Sequence, residues 1–212
     1  KAARHKLMVD IHDEFRSTGY QRTYPNLMTV EGILGNEGFP PPVHNATLPF
    51  TRFLTGPGDY TFCWSSAKLK PTHAHQLALS TIYFSPWQFL FWYDKPAQVK
   101  EDPALDYWKF LPTAWDETRV LKGDIGKVAS VARRKRTEWY VGTIHTAGRG
   151  QAEIPLAFLE PGRKFTATIY SDLDPDNPDS KEVKVETLMV DSSTVLVADI
   201  PANGGHTVRI VP

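Results

Sequence analysis

His12, Asp13 and Glu14 follow directly on a short apolar run, Leu7 to Ile11, and Glu31 closes a second such run, Asn26 to Val30. Glu37 comes six residues after Glu31, in a loop flanked by glycines. In barrels and open α/β sheets the C-terminal ends of parallel strands face the active site. Carboxylates converging there repel one another unless a proton or a cation is held between them. Hard oxygen donors favour calcium or magnesium over zinc. The competing arrangement is a set of loop carboxylates that cap helices or pair with Lys6, Arg16 and Arg22.

The elements that must position these acids fall into two grammars. Residues 7 to about 115 read as α/β. Leu7 to Ile11 has the pattern of a strand buried on both faces of a parallel sheet. Asn26 to Val30 is a second strand, and Pro49 to Leu54 starts a third, running into the Gly56–Gly58 turn. His75 to Tyr93 reads as one long helix bent at Pro86, with Leu77, Leu79, Ile82, Phe84, Phe89 and Leu90 on its buried side. From about Val120 onward, seven short segments rich in β-branched residues alternate with turn chemistry such as Pro161-Gly162 and Asn203-Gly204-Gly205. Phe165, Ala167 and Ile169 alternate with Thr166, Thr168 and Tyr170, the pattern of a sheet with one dry and one wet face. The fold class is thus α/β followed by all-β, with a small antiparallel β-sandwich as the second domain. Domains are expected over 1–117 and 118–212. Two or three parallel strands with one helix leave an open sheet edge and little core, so the first unit requires upstream sequence or a partner chain. Lys1 to His5 reads as a helical run with no N-cap residue and no initiator methionine, and the chain is expected to begin inside an element of a longer polypeptide.

Composition narrows the function classes. The 212 residues carry 24 basic and 24 acidic side chains, are 41% hydrophobic and 12% aromatic, and include one cysteine, Cys63. The balance excludes a nucleic-acid arm, and one thiol excludes an intrachain disulfide framework. No run approaches the length of a membrane span. The basic run Arg133–Arg136 reads as a solvated edge. Asp172, Asp174 and Asp176 imitate an EF-hand start, but Asn177 and Val183 stand where that loop needs glycine and glutamate. His73 and His75, two apart, suit capping or packing rather than a metal. Trp64, Trp87 and Trp92 could stack on sugars in a noncatalytic carbohydrate-binding protein, but packing of the barrel helices is the preferred account of them.

The stretch MVDIHDEFRSTGYQRTYPNLMTVEGILGNE, Met8 to Glu37, resembles the catalytic segment of family 97 of the glycoside hydrolases, which includes α-glucosidases and α-galactosidases of gut and marine bacteria. LPFTRFLTGPGDYTF (Leu48 to Phe62), HAHQLALSTIYFSPWQFLFWYDKP (His73 to Pro96) and EWYVGTI (Glu138 to Ile144) are similar to stretches that follow in that family. The resemblance implies the C-terminal portion of a (β/α)₈ barrel followed by the family's C-terminal β domain. It implies a calcium-dependent, exo-acting α-glycoside hydrolase in the periplasm or outside a bacterial cell. Glu37 matches the general acid; Glu31 matches a calcium-binding carboxylate, and Glu37 also touches that ion. Asp13 aligns with a glutamate that binds calcium and acts as base in the inverting α-glucosidases. His12 matches a sugar-contacting histidine, and Glu14 is assigned to substrate binding with it. Asp13-Glu14 departs from the inverting pattern of a lone glutamate followed by alanine. The chain therefore looks more like the retaining α-galactosidase branch, whose aspartate nucleophile lies on an earlier strand outside this sequence. Inverting α-glucosidase is the alternative.

Overall fold

The computed structural model describes residues 1–212 except Glu14, Pro96, Gln98, Lys100 and Pro178. The architecture is mostly β, with few helices. Strands β1 (Val9–Ile11) and β2 (Leu27–Val30) pair in parallel, as their short apolar runs require. The parallel fan then continues without regular strands. Asp59 N–H donates to Val30 O at 2.9 Å, and Phe62 N–H donates to Phe89 O at 2.9 Å. Four chain segments thus run side by side, β1, β2, 59–62 and the residues around Phe89, with the acids at one end.

Three expectations for this half need correction. β1 is half-exposed rather than buried, and Leu7 and Met8 are exposed, because among the described residues β2 is the only strand paired with β1. Pro49 to Leu54 forms two 3-10 turns, Leu48–Phe50 and Arg52–Thr55, not a strand. Pro49 sits at the first turn, where its fixed φ and missing N–H suit a helical start. The long helix stops early. α1 (Pro42–Thr47) precedes α2, which spans His73–Ile82 and ends with Tyr83 extended at ψ 141°. Pro86 forbids helical hydrogen bonding across this stretch and biases Ser85 away from the helical region, so the chain leaves the helix and returns beside residues 61–62.

After α3 (Asp106–Phe110) the chain enters eight antiparallel strands. They are β3 (Glu117–Asp124), β4 (Val128–Lys135), β5 (Glu138–His145), β6 (Gly150–Pro155), β7 (Phe165–Asp172), β8 (Val183–Val190), β9 (Val195–Ile200) and β10 (Gly204–Val211). Six form one sheet in the order β3-β4-β5-β10-β7-β8, and β6 pairs with β9. Sequence reading found seven of the eight. β3 escaped it because Val120 and Leu121 are adjacent rather than alternating among charged neighbours.

The large sheet is dry on both faces at its centre, which corrects the one-wet-face expectation. Trp139, Val141, Phe165, Ala167, Val208 and Ile210 pack toward β6 and β9. Ala129, Tyr140, Ile144 and Tyr170 pack instead with Leu77, Ala78 and Ile82 of α2. Helix and sheet approach so closely that a Cβ at Gly142 of β5 would overlap the Ala78 carbonyl. Arg133 turns inward too: it is buried and donates to Ile82 O at 2.9 Å, so the basic run is not uniformly a solvated edge.

Candidate active site

The acids meet at the end of the parallel fan. β1 delivers Asp10 and, just beyond it, His12; β2 delivers Glu31; the next segment delivers Asp59 and Thr61; Glu37 returns from the loop after β2. Ligand atoms of His12, Glu31 and Glu37 all lie within 4.8 Å of one another, and so do those of Asp10, His12 and Asp59. His12 joins the two groups, its Nδ1 2.8 Å from Asp59 Oδ2 and 3.6 Å from Glu31 Oε2.

The surrounding chain is built to hold these groups still. Arg52 donates to the carbonyls of Val30, Glu31, Gly56 and Pro57 at 2.7–3.2 Å, pinning the end of β2 to the Gly56-Pro57 turn. Burial of its guanidinium holds its pKa below the ordinary arginine value. Glu37 is fastened to Thr61: its N–H donates to Thr61 Oγ1 at 3.3 Å, and that hydroxyl donates to Glu37 Oε2 at 3.0 Å. A Cβ at Gly35 would overlap Thr61 Oγ1, so only glycine lets the two elements close to this distance.

Asn36, the residue before Glu37, reaches into a buried polar network. It donates to Gln76 Oε1 at 2.7 Å and accepts from Tyr60 Oη at 3.2 Å. Asn45 and His75 extend the network to the Gly204 carbonyl of β10. His75 is fully buried and held neutral, its pKa pushed down to about 4 by desolvation. Its role is packing, as its spacing from His73 suggests. His73 stacks on Trp64 with ring centroids 3.9 Å apart.

The electrostatics reflect crowded negative charge. Burial raises the Glu31 carboxyl well above the carboxylate range, hydrogen bonding to Glu37 adds to this, and His12 opposes it. Asp10 is raised likewise, first by burial and then by Asp59. For His12, burial works against the charged ring, but the Asp59 hydrogen bond and the charges of Glu31, Asp59 and Glu37 outweigh it and raise its pKa. Among the described residues, Oδ1 of both Asp10 and Asp59 is buried without a hydrogen-bond partner. Two carboxyls forced together, one of them favouring its proton, form a set that a hard cation would relieve.

Of the site residues expected from sequence, the structure brings Glu31, Glu37 and His12 together. The Asp13 side chain belongs to neither group, although its backbone hydrogen-bonds the Glu31 carboxylate. Its side chain is exposed, its backbone is at φ 75°, and it lines a neighbouring cleft with Arg16, Glu31 and His44. Glu14 lies outside the described residues. Sequence reasoning missed Asp10 and Asp59. The available signals were an acid in the middle of an apolar strand and an acid directly after Gly56-Pro57-Gly58.

Comparison with known proteins identifies the family of the chain. Residues 1–33 match the glycoside hydrolase 97 family model, and residues 114–211 match the glycosyl-hydrolase 97 C-terminal, oligomerisation model. A retaining alpha-galactosidase of Bacteroides thetaiotaomicron is 30% identical over 98% of this chain and 34% of its own length. A probable retaining alpha-galactosidase of Streptomyces bingchenggensis is 34% identical over 96% of this chain and 31% of its own. A family 97 enzyme of Pseudoalteromonas sp. strain K8, solved in complex with panose, superposes with a TM-score of 0.90 at 30% identity, over 99% of this chain and 35% of that one. The chain therefore spans about a third of the length of these relatives. Two models of one family, at opposite ends of a chain that aligns with its members over nearly its whole length, establish that it belongs to glycoside hydrolase family 97.

Proposed function

We propose that the protein carrying this chain is a calcium-dependent, exo-acting α-glycoside hydrolase with Glu37 as its general acid/base. The observation that carries the reading is the meeting of Glu31 and Glu37, from the end of one strand and the loop beyond it, beside His12. Residues 1–117 are read as the last part of a (β/α)₈ barrel and 118–212 as its C-terminal β domain. On this reading the upstream barrel completes the site, and the protein acts in the periplasm or outside the cell. No helix among the described residues is long and apolar enough to cross a membrane.

Glycoside hydrolysis needs a protonated carboxyl beside the leaving oxygen and a second carboxyl across the ring. Glu37, held by Thr61 and by the anchored Asn36, presents its carboxyl in fixed orientation. Glu31 and Glu37 are the carboxylates of this chain that would hold the calcium, with His12 at the edge of the set turned toward sugar hydroxyls. Bound there, calcium would neutralise the crowded carboxylates and polarise substrate oxygens. Asp13 and Glu14 are carried as candidates for base and substrate contact through the resemblance, with Asp13 also a candidate calcium ligand.

The retaining α-galactosidase type is favoured by the two bacterial relatives with that name and by the Asp13-Glu14 departure. The inverting α-glucosidase alternative draws on the Pseudoalteromonas enzyme, solved with panose and with acarbose. A noncatalytic sugar-binding reading loses one of its platforms, since Trp64 is buried against His73 and Trp108. The test is hydrolysis of p-nitrophenyl α-galactoside against the α-glucoside by the full-length protein. Turnover of the galactoside supports the first reading and turnover of the glucoside the second. Binding of sugar without turnover of either would reject the hydrolase.

A further inference from the structure

Next to the acid cluster, a separate cavity is lined by Glu37, Phe39, Ser66, Lys68 and Tyr93. The rings of Phe39 and Tyr93 stack there with centroids 6.0 Å apart and planes at 23°. Lys68 Nζ stands 5.9 Å from the centre of the Phe39 ring. Both aromatic residues have left-handed backbone, Phe39 at φ 47° and Tyr93 at φ 64°. A bulky residue in that region stores strain, and such strain gathers at ligand clamps where side-chain aim matters more than backbone comfort. Tyr93 nevertheless remains 61% exposed, so burial of its own ring does not explain why it is held there.

We infer that Phe39, Tyr93 and Lys68 form the platform that receives the leaving-group sugar of an α-linked disaccharide or oligosaccharide. The inference rests on Glu37 as the acid. An acid that protonates the glycosidic oxygen has the leaving group on its own side, and this cavity shares Glu37 as a wall. Flat aromatic faces suit the C–H faces of a pyranose ring. An ammonium at the rim can donate to that ring's hydroxyls. Glu31 lines a different cleft, with Asp13 and Arg16, so the two cavities are chemically distinct.

The test compares wild type with Tyr93→Ala and Tyr93→Phe in the full-length protein, on an α-linked disaccharide and on the glycosyl fluoride of the same sugar. Fluoride leaves without filling the platform. Tyr93→Ala should lower kcat/KM on the disaccharide by about tenfold, the scale of one lost aromatic contact. It should leave the fluoride unchanged, and Tyr93→Phe should retain most of the disaccharide rate. An equal loss on the fluoride, or no loss on the disaccharide, would overturn the platform while leaving the hydrolase intact. A wild-type protein that cleaves neither substrate would overturn both.

Discussion

The acid end of the parallel fan and the β domain obey different rules. In the β domain the ladders are regular apart from one register shift between Val120 and Lys122, and exposed charges find opposite partners, as with Arg149 and Asp199, or Lys164 and Asp191. At the acid end, like charges are gathered, Asp10 with Asp59 and Glu31 with Glu37 around His12, and Asp13, Phe39 and Tyr93 all adopt positive φ. Gathered like charges and positive φ at bulky residues are local preferences overridden by the fold, and conflicts of this kind concentrate where function is selected.

The sharpest way to break the comparison is to change the acid end and look for damage to chemistry rather than to fold. Glu37→Gln should cost roughly 10²–10⁴-fold on substrates with poor leaving groups and much less on activated aryl glycosides, the span of a general acid. Equal losses on both would reject Glu37 in that role. Arg52→Leu should destabilise by about 2–3 kcal/mol, because the end of β2 loses charge-assisted hydrogen bonds to several carbonyls at once. Thermal unfolding of the full-length variant checks this, and an unchanged melt would show that Arg52 does not anchor the strand.

Asp172, at the end of β7, tests the β domain from inside. It accepts from Gly205 N–H at 2.9 Å, and burial raises its carboxyl to about 6. The folded state therefore binds the proton more tightly than the unfolded state, and stability should fall as pH rises from about 4 to 6, by on the order of 2–3 kcal/mol. Asp172→Asn should flatten that slope; an equally steep profile in the variant would contradict the assignment. Gly142→Ala should cost about 1–3 kcal/mol by forcing α2 off the sheet. Arg149→Ala, which removes only exposed pairs, should leave both melting and activity essentially unmoved.

Much of the β domain was legible because turn residues punctuate it at short intervals. The exception, β3, shows what is lost when adjacent apolar residues replace alternation. In the first half, Pro86 marked a break but not its place, since the helix yields before the proline, at Tyr83. Glu31 and Glu37 were readable from their position after an apolar strand. Asp59 was not, because its partner His12 is 47 residues away and only the parallel register joins them. Tyr93 carried no signal either: positive φ at an aromatic residue is imposed by tertiary contacts that no local pattern records.

The central claim is that Glu31 and Glu37 grip one divalent ion at a sugar-cleaving centre. Calorimetric titration of calcium into the metal-stripped full-length protein and its Glu31→Gln variant tests it most directly. The account predicts a calcium site in the wild type that the variant loses or binds far more weakly, with activity restored only where calcium binds. Equal calcium binding by both proteins, or full activity of the stripped wild type, would contradict it.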